Sequence, residues 1–191
     1  MEEANLASML AQLKDLSEMM VDLAHSAFIC GSEEIAEQVL KMEDVIDTLH
    51  IEFEIEMMKA KDRWRPEEVL GSIRLAMAAE ELADAATRIA MLVKKGVRAH
   101  PIVHIALQEA DETIAQARVH EDSILCGKSI GELGLEDDLG IRIVAVNRGG
   151  KWFYNPSDSF RLSCGDTVIF RGYVEGASKF LKIASHESEE E

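Results

Sequence analysis

Two pairs of carboxylates, each spaced Glu-x-x-x-Asp, are the residues of this chain best suited to chemistry. They are Glu43 and Asp47 in KMEDVIDTLH, and Glu80 and Asp84 in AAEELADAATRIA. A spacing of four puts both carboxylates of a pair on one helical face, one turn apart. Two such pairs on facing helices can offer a hard cation several oxygen ligands, as in carboxylate sites of helix bundles. A divalent metal ion is the cofactor they would take. The surroundings differ. On a helical wheel Glu80 and Asp84 fall among Val69, Ile73, Ala76, Met77, Ala83 and Thr87. An unpaired charge buried in that stripe is very costly, so this pair needs a cation, a proton, or a place where the stripe meets solvent. Glu43 and Asp47 flank the apolar stripe of their own segment beside His50 and Glu54. An ordinary solvated shoulder also lies there, and acidic residues at this spacing are frequent in a chain with 36 Asp and Glu.

Other chemistry-bearing residues lack a complete pattern. Gly127-Lys128-Ser129 reads GKS, but Asp122 stands where a phosphate loop has its first glycine. No GxGxxG follows a strand, so NAD bound in the Rossmann manner is not expected. Asp15, Glu18 and Asp22 lie opposite the apolar stripe of their helix and read as a solvated face. His100 and His104 share a face without a carboxylate or thiol partner nearby in sequence, and read as structural or surface residues. Cys30, Cys126 and Cys164 form no CxxC; an odd count without a secretory signal points to structural thiols in a reducing cytosol. No Ser, Cys or Lys sits in a nucleophile motif, so the chain is not expected to be an enzyme.

The carboxylate pairs sit in a helical half. Helix A, about 4–29, spaces Leu6, Met9, Leu10, Leu13, Leu16, Met20, Leu23 and Ala27 by three and four. Gly31 ends it, and Ser32 caps helix B, about 33–61, whose stripe is Ile35, Val39, Met42, Ile46, Leu49, Phe53 and Met57. Pro66 opens helix C, which runs to about Lys95 and carries a second apolar face with Leu75, Ala78, Leu82, Ile89 and Val93. Pro101 opens a helix D over about 101–117. Helices B and C are each roughly 45 Å long, and their short connections make them antiparallel.

The last third is of another kind. Ser129 caps a short helix, IGELGL, with Glu132 in the capping-box position. Ile141–Asn147 reads as a buried strand, Arg148-Gly149-Gly150 as a hairpin turn, and Lys151–Tyr154 as the returning strand. Gly165-Asp166 turns into a third strand, Thr167–Arg171, and Val174–Ala184 closes the unit as a helix. The expected fold class is α+β in two domains: an antiparallel helical bundle over 1–116, a small α/β sheet domain over 117–184, and an acidic disordered tail over 185–191.

The net charge of −16 argues against nucleic acid as a partner and against docking to anionic membranes by charge. No run of 18 apolar residues exists, so no segment is expected to insert in a membrane. The 47 % apolar content is that of a folded soluble protein.

With these elements placed, GKSIGEL, the GIRIVAVNRGG hairpin, Pro156 and LSCGD-TVIF at their spacings resemble the TrkA-C domain, the C-terminal half of the RCK modules that regulate potassium channels and uptake systems. QVLKMEDVIDTLHIEFE and IRLAMAAEELADAATRIAMLV resemble the two signature helices of PhoU-like domains, with Glu43, Asp47, Glu80 and Asp84 at the family's metal-binding motif positions. Glu81 stands where that family usually has Arg and Ala85 where His is frequent, which implies a single cation rather than a multinuclear cluster. The TrkA-C resemblance implies a homodimer holding a small ligand, in some relatives cyclic di-AMP. By position its contacts would be Ile141, Arg142, Ile143, Asn147, Arg148 and Pro156, although Ile141 and Ile143 also read as plain core. The combined expectation is a cytoplasmic regulator of potassium transport that acts on a membrane channel or transporter subunit. The alternatives are a metal-binding adaptor in phosphate signalling and, more remotely, a hydrolase using a metal-bound water.

Overall fold

Three apolar stripes of helical period, separated by a left-handed glycine and a proline, produce the first part of the molecule. The computed structural model of the chain describes residues 2–103 and 110–185. The chain divides into two compact units, Met1–Arg98 and Ala99–Glu191.

In the first unit α1 (Glu2–Cys30), α2 (Glu33–Ala60) and α3 (Pro66–Lys94) each pack against the other two. Gly31, at φ 65°, turns the chain out of α1, and the Ser32 hydroxyl accepts from the Ile35 amide at 3.3 Å to start α2. A 3-10 turn, Lys61–Arg63, leads to Pro66 in the first turn of α3, where the Glu68 carboxylate reaches back to the Arg65 amide at 3.0 Å. Leu13, Met20 and Leu23 of α1 and Ile35, Ile46 and Phe53 of α2 are fully buried, and α3 meets them with Ala76, Ala83, Ala86 and Ala90. Each large side chain removed from water contributes about 1.5–3 kcal/mol. The alanines let α3 approach closely. Its second apolar face stays largely outside: Leu75 is 59 % and Leu82 51 % exposed.

The second unit is an antiparallel sheet of four strands in the order β1-β4-β2-β3, formed by β1 (Glu112–Arg118), β2 (Ile141–Arg148), β3 (Lys151–Tyr154) and β4 (Thr167–Tyr173). Two short helices, α4 (Ile130–Leu133) and α5 (Leu135–Leu139), precede β2, and α6 (Val174–Ser185) follows β4. Phe170, Phe180, Leu125, Leu162, Ile141 and Val168 centre the core. The Gly149-Gly150 turn, at φ 59° and 87°, joins β2 to β3 as expected of a two-residue hairpin. The expected capping box forms: Ser129 Oγ accepts from the Glu132 amide at 3.2 Å, and Glu132 Oε2 accepts from the Ser129 amide at 2.9 Å.

The expected helix D is corrected by β1. Residues 101–103 are helical, but Glu112–Arg118 pairs along its whole length with β4, from Glu112 opposite Tyr173 to Arg118 opposite Thr167. The physical reason is a period of two that short, alanine-rich sequence conceals: Ala115 and Ala117 alternate onto the core. The remainder of that helix, including His104, lies outside the described residues, as does the tail beyond Ser185. The three expected thiols are corrected as well. Cys126 and Cys164 form a disulfide with their Cα atoms 5.1 Å apart, and Cys30 alone among the cysteines is free. They lie 38 residues apart in sequence, and the sheet's connections bring them together.

Candidate functional site

Two glycines seat α5, whose first residues line a cavity of the second unit. A Cβ on Gly176, in the first turn of α6, would fall on the carbonyl oxygen of Leu139, and one on Gly172 of β4 would meet that of Gly140. The end of α5 therefore lies directly against β4 and α6, and the chain leaves it through Gly140, at φ 63°, straight into β2. One wall is the start of β2, a second is α4 and α5, and the third is the segment after β3, residues 155–158.

The resulting cavity has a volume of about 660 Å³ and is lined by Ile130, Gly131, Gly134, Leu135, Glu136, Asp137, Ile141, Arg142, Ile143, Asn155, Pro156, Ser157 and Asp158. That volume lies in the range of small-molecule and cofactor sites. Among the described residues Arg142 is its one lining cation; its guanidinium is 3.9 Å from Glu136 and donates to Asn155 Oδ1 at 3.5 Å. Both contacts are long and the side chain is exposed, so Arg142 can turn toward an anion at little cost. Asn155 adopts φ 43°, the left-handed region that Asn tolerates better than most residues, and its amide donates to the Val144 carbonyl at 2.9 Å. This bend brings residues 155–158 to the cavity they line. Ile143 and Pro156 supply apolar walls, and the Ser157 hydroxyl, Asn155 side chain and Asp158 carboxylate supply polar groups.

Of the six residues implied for ligand contact, Ile141, Arg142, Ile143 and Pro156 line this cavity. Ile141 and Ile143 are also core, at 1 % and 4 % exposure, so the cavity reaches the hydrophobic interior of the unit there. Asn147 and Arg148 do not line it. Asn147 Oδ1 accepts from the Gly150 amide at 3.0 Å and shapes the hairpin. Arg148 donates from Nε to Asp166 Oδ1 at 2.9 Å, and from Nη2 to Asp166 Oδ2 at 2.7 Å and the Arg161 carbonyl at 2.7 Å. Asp166 is 1 % exposed and also accepts from the Ser163 amide at 2.8 Å. Hydrogen bonding to Asp166 raises the Arg148 pKa further. Arg148 is thus the ion-pair partner of a buried carboxylate. Sequence reasoning missed Asn155, Ser157 and Asp158, and the one available signal was the Asn-Pro dipeptide at 155–156, a turn marker.

The first unit brings Glu43, Asp47, Glu80 and Asp84 to the seam where α2 and α3 meet solvent. Burial raises the Glu43 pKa most, and the carboxylates of Asp47, Asp84, Asp44 and Glu80 raise it further. Burial raises Glu80 too, then Asp84; His50 opposes the rise, and Asp47 and Glu81 add to it. Facing helices therefore do bring the two pairs into electrostatic contact. Asp84 has Arg88 Nη1 at 3.7 Å, and His50 Nε2 is 3.3 Å from Glu54 Oε1. Among the described residues, however, no three His, Cys, Asp or Glu side chains converge on one point as a metal ion requires.

Comparison with known proteins gives two family matches: the PhoU domain over residues 10–93 and the TrkA-C domain over residues 114–185. A search of curated proteins finds no match. Among solved structures, the RCK_C domain dimer of S. agalactiae BusR in complex with c-di-AMP is 33 % identical, over 35 % of this chain and 88 % of that one, with a TM-score of 0.34. The RCK C domain of the potassium transport protein KtrA in complex with c-di-AMP is 29 % identical, over 44 % of this chain and 98 % of that one, with a TM-score of 0.35. S. agalactiae BusR in complex with its busAB promoter DNA is 20 % identical, over 88 % of this chain and 95 % of that one, with a TM-score of 0.35. Among the described residues no helix is long and apolar enough to cross a membrane.

Proposed function

Because the chain carries a PhoU domain followed by a TrkA-C domain, we propose that it is a ligand-sensing regulator of potassium transport, working as a cytoplasmic homodimer on a membrane channel or transporter subunit. The TrkA-C unit is the sensing half, and its ligand is cyclic di-AMP. The observation that carries this reading is the cavity at the start of β2. It has the size of a ligand site, and four of the six residues that the TrkA-C resemblance implies line it. Its chemistry suits a cyclic dinucleotide. The Arg142 guanidinium faces a phosphate, Ile143 and Pro156 present apolar surface to a base, and Asn155 and Ser157 offer hydrogen bonds to base or ribose. A ligand with two phosphates related by a two-fold axis also matches two copies of this wall, each contributing one Arg142. Regulation then requires that the ligand favour one arrangement of the dimer over another, since equal affinity for both shifts nothing.

The test is calorimetric titration of the full chain with cyclic di-AMP, cyclic di-GMP and ATP, with molar mass measured by light scattering. Saturable binding of cyclic di-AMP at one ligand per two chains, lost in Arg142→Ala, supports the reading. Absence of saturable binding in the folded wild type refutes the ligand, and a monomer at micromolar concentration in its presence refutes the dimer.

A further inference from the structure

Beside the cavity, residues 127–131 and 158–162 of the chain pair in a short ladder whose far end is the Cys126–Cys164 disulfide. From the disulfide toward the cavity, the Gly127 amide donates to the Leu162 carbonyl at 2.8 Å and the Leu162 amide to the Lys128 carbonyl at 2.9 Å. Ser129 and Arg161 then form an antiparallel bridge. The Ile130 amide donates to the Phe160 carbonyl at 3.0 Å and the Gly131 amide to the Asp158 carbonyl at 2.9 Å. Ile130, Gly131 and Asp158, at the end of this ladder, line the cavity. The two segments are pressed together there: a Cβ on Gly131 would lie 3.1 Å from Asp158 Cβ. Beside the disulfide, Arg161 holds Glu132 by two bonds of 3.0 and 3.1 Å, a clamp that no redox change removes. Cys164 is exposed and Cys126 only partly buried, so the bond can be reached from solution. Exposed disulfides are the labile and regulatory ones, and cytosolic disulfides are commonly transient.

We infer that the Cys126–Cys164 disulfide is a redox-set staple that holds the ladder's register, stiffens the cavity wall at Ile130, Gly131 and Asp158, and thereby raises ligand affinity. In its effect on affinity this inference rests on the cavity being the ligand site proposed above. The chemistry is thiol–disulfide exchange with a dithiol reductant of the thioredoxin class. One reductant thiolate attacks the exposed Cys164 sulfur and expels Cys126 as a thiolate, which takes up a proton. The second reductant thiol then attacks the mixed disulfide and frees Cys164. Two electrons and two protons pass to the protein, and the reductant leaves as its own disulfide. Oxidation by a disulfide of the same class reverses the step.

The experiment compares the full chain oxidised, reduced with dithiothreitol, and as Cys126→Ser/Cys164→Ser, with thiol alkylation and mass spectrometry reporting the redox state. Two readouts are taken: amide hydrogen exchange over 127–131 and 158–162, and the Kd for cyclic di-AMP. The expected result is faster exchange on reduction, extending to Ile130 and Gly131, with affinity falling about tenfold; the double variant should behave as reduced whatever the reductant. Unchanged exchange at Ile130 and Gly131 overturns the staple. Faster exchange with unchanged affinity overturns its coupling to the ligand. If cyclic di-AMP binds in neither state, the ligand proposal fails, and exchange at Ile130 and Gly131 alone then upholds or overturns the staple. Should the double variant not fold, reduction of the wild-type chain gives the same two readouts.

Discussion

Arg142 and Arg148 stand six residues apart on one strand, and the geometry assigns them opposite roles that a pair of substitutions separates. Arg148→Ala removes the bidentate partner of Asp166, a carboxylate 1 % exposed, and leaves it only the Ser163 amide. Breaking a buried pair from one side costs about 3–5 kcal/mol. The Arg148 side chain is itself 40 % exposed, so solvent screens part of that, and the expected loss is about 2 kcal/mol. For a unit of this size such a loss lowers the melting temperature by roughly 8–16 °C. Below that temperature, ligand affinity should be unchanged, because Arg148 does not line the cavity. Arg142→Ala should show the reverse. Its contacts to Glu136 and Asn155 are long and exposed, so the melting temperature should hold. A lost charge-assisted bond to a phosphate is worth about 1.5–3 kcal/mol, or roughly 10- to 150-fold in Kd. Arg148→Lys keeps a charge without the planar fork and should fall between wild type and alanine in stability. The assays are urea and thermal unfolding with calorimetric titration of cyclic di-AMP. A folded Arg148→Ala with wild-type melting and much weaker binding would refute this assignment, as would an Arg142→Ala that binds like wild type.

The remaining perturbations test the elements around the two sites. Glu43 and Glu80 are held above the ordinary carboxylate range, so the folded bundle takes up their protons at higher pH than the unfolded chain. Stability of the first unit should therefore rise as pH falls from neutrality into the carboxylate range, and Glu80→Gln should flatten that rise and be neutral or stabilising at neutral pH, read from urea midpoints at both ends. Gly176→Ala should cost at least about 1–3 kcal/mol and weaken ligand binding, because its methyl displaces Leu139 and with it the end of α5, whose residues Leu135, Glu136 and Asp137 line the cavity; thermal unfolding and titration report both. With the two cysteines separated by 38 in sequence, Cys126→Ser/Cys164→Ser should destabilise the second unit by about 4 kcal/mol in the chain-entropy account, read from denaturant midpoints with and without reductant.

The parts of the fold legible in the sequence are those where local chemistry and tertiary packing agree. Helix A, helix B and helix C match α1, α2 and α3 to within a few residues because glycine, serine and proline punctuate long apolar stripes. The Ser129 capping box and the Gly149-Gly150 hairpin were visible for the same reason: each is a contact between residues no more than three apart. The β1 strand was not. ETIAQAR has the helix propensity of its alanines, and only pairing with β4, some 55 residues later in the chain, makes it a strand. The disulfide was hidden likewise, since no spacing between Cys126 and Cys164 announces that Leu162 and Gly127 pair.

The candidate site divides along the same line. Arg142 and Pro156 could be named because they belong to a strand and a turn with recognisable patterns. Arg148 carries the same charge in the same pattern, and its role was settled by Asp166, which lies 18 residues further along the chain. A guanidinium beside a buried carboxylate is committed to it: releasing Arg148 to a ligand would leave Asp166 charged and unpaired in the interior. Arg142 faces Glu136 at 3.9 Å in water, and that contact costs little to exchange for a phosphate. The difference between a structural arginine and a binding one lies in how much solvation its present partner would have to recover. That quantity depends on the burial of the partner, which is a property of the folded unit and of no segment of the strand that carries both arginines.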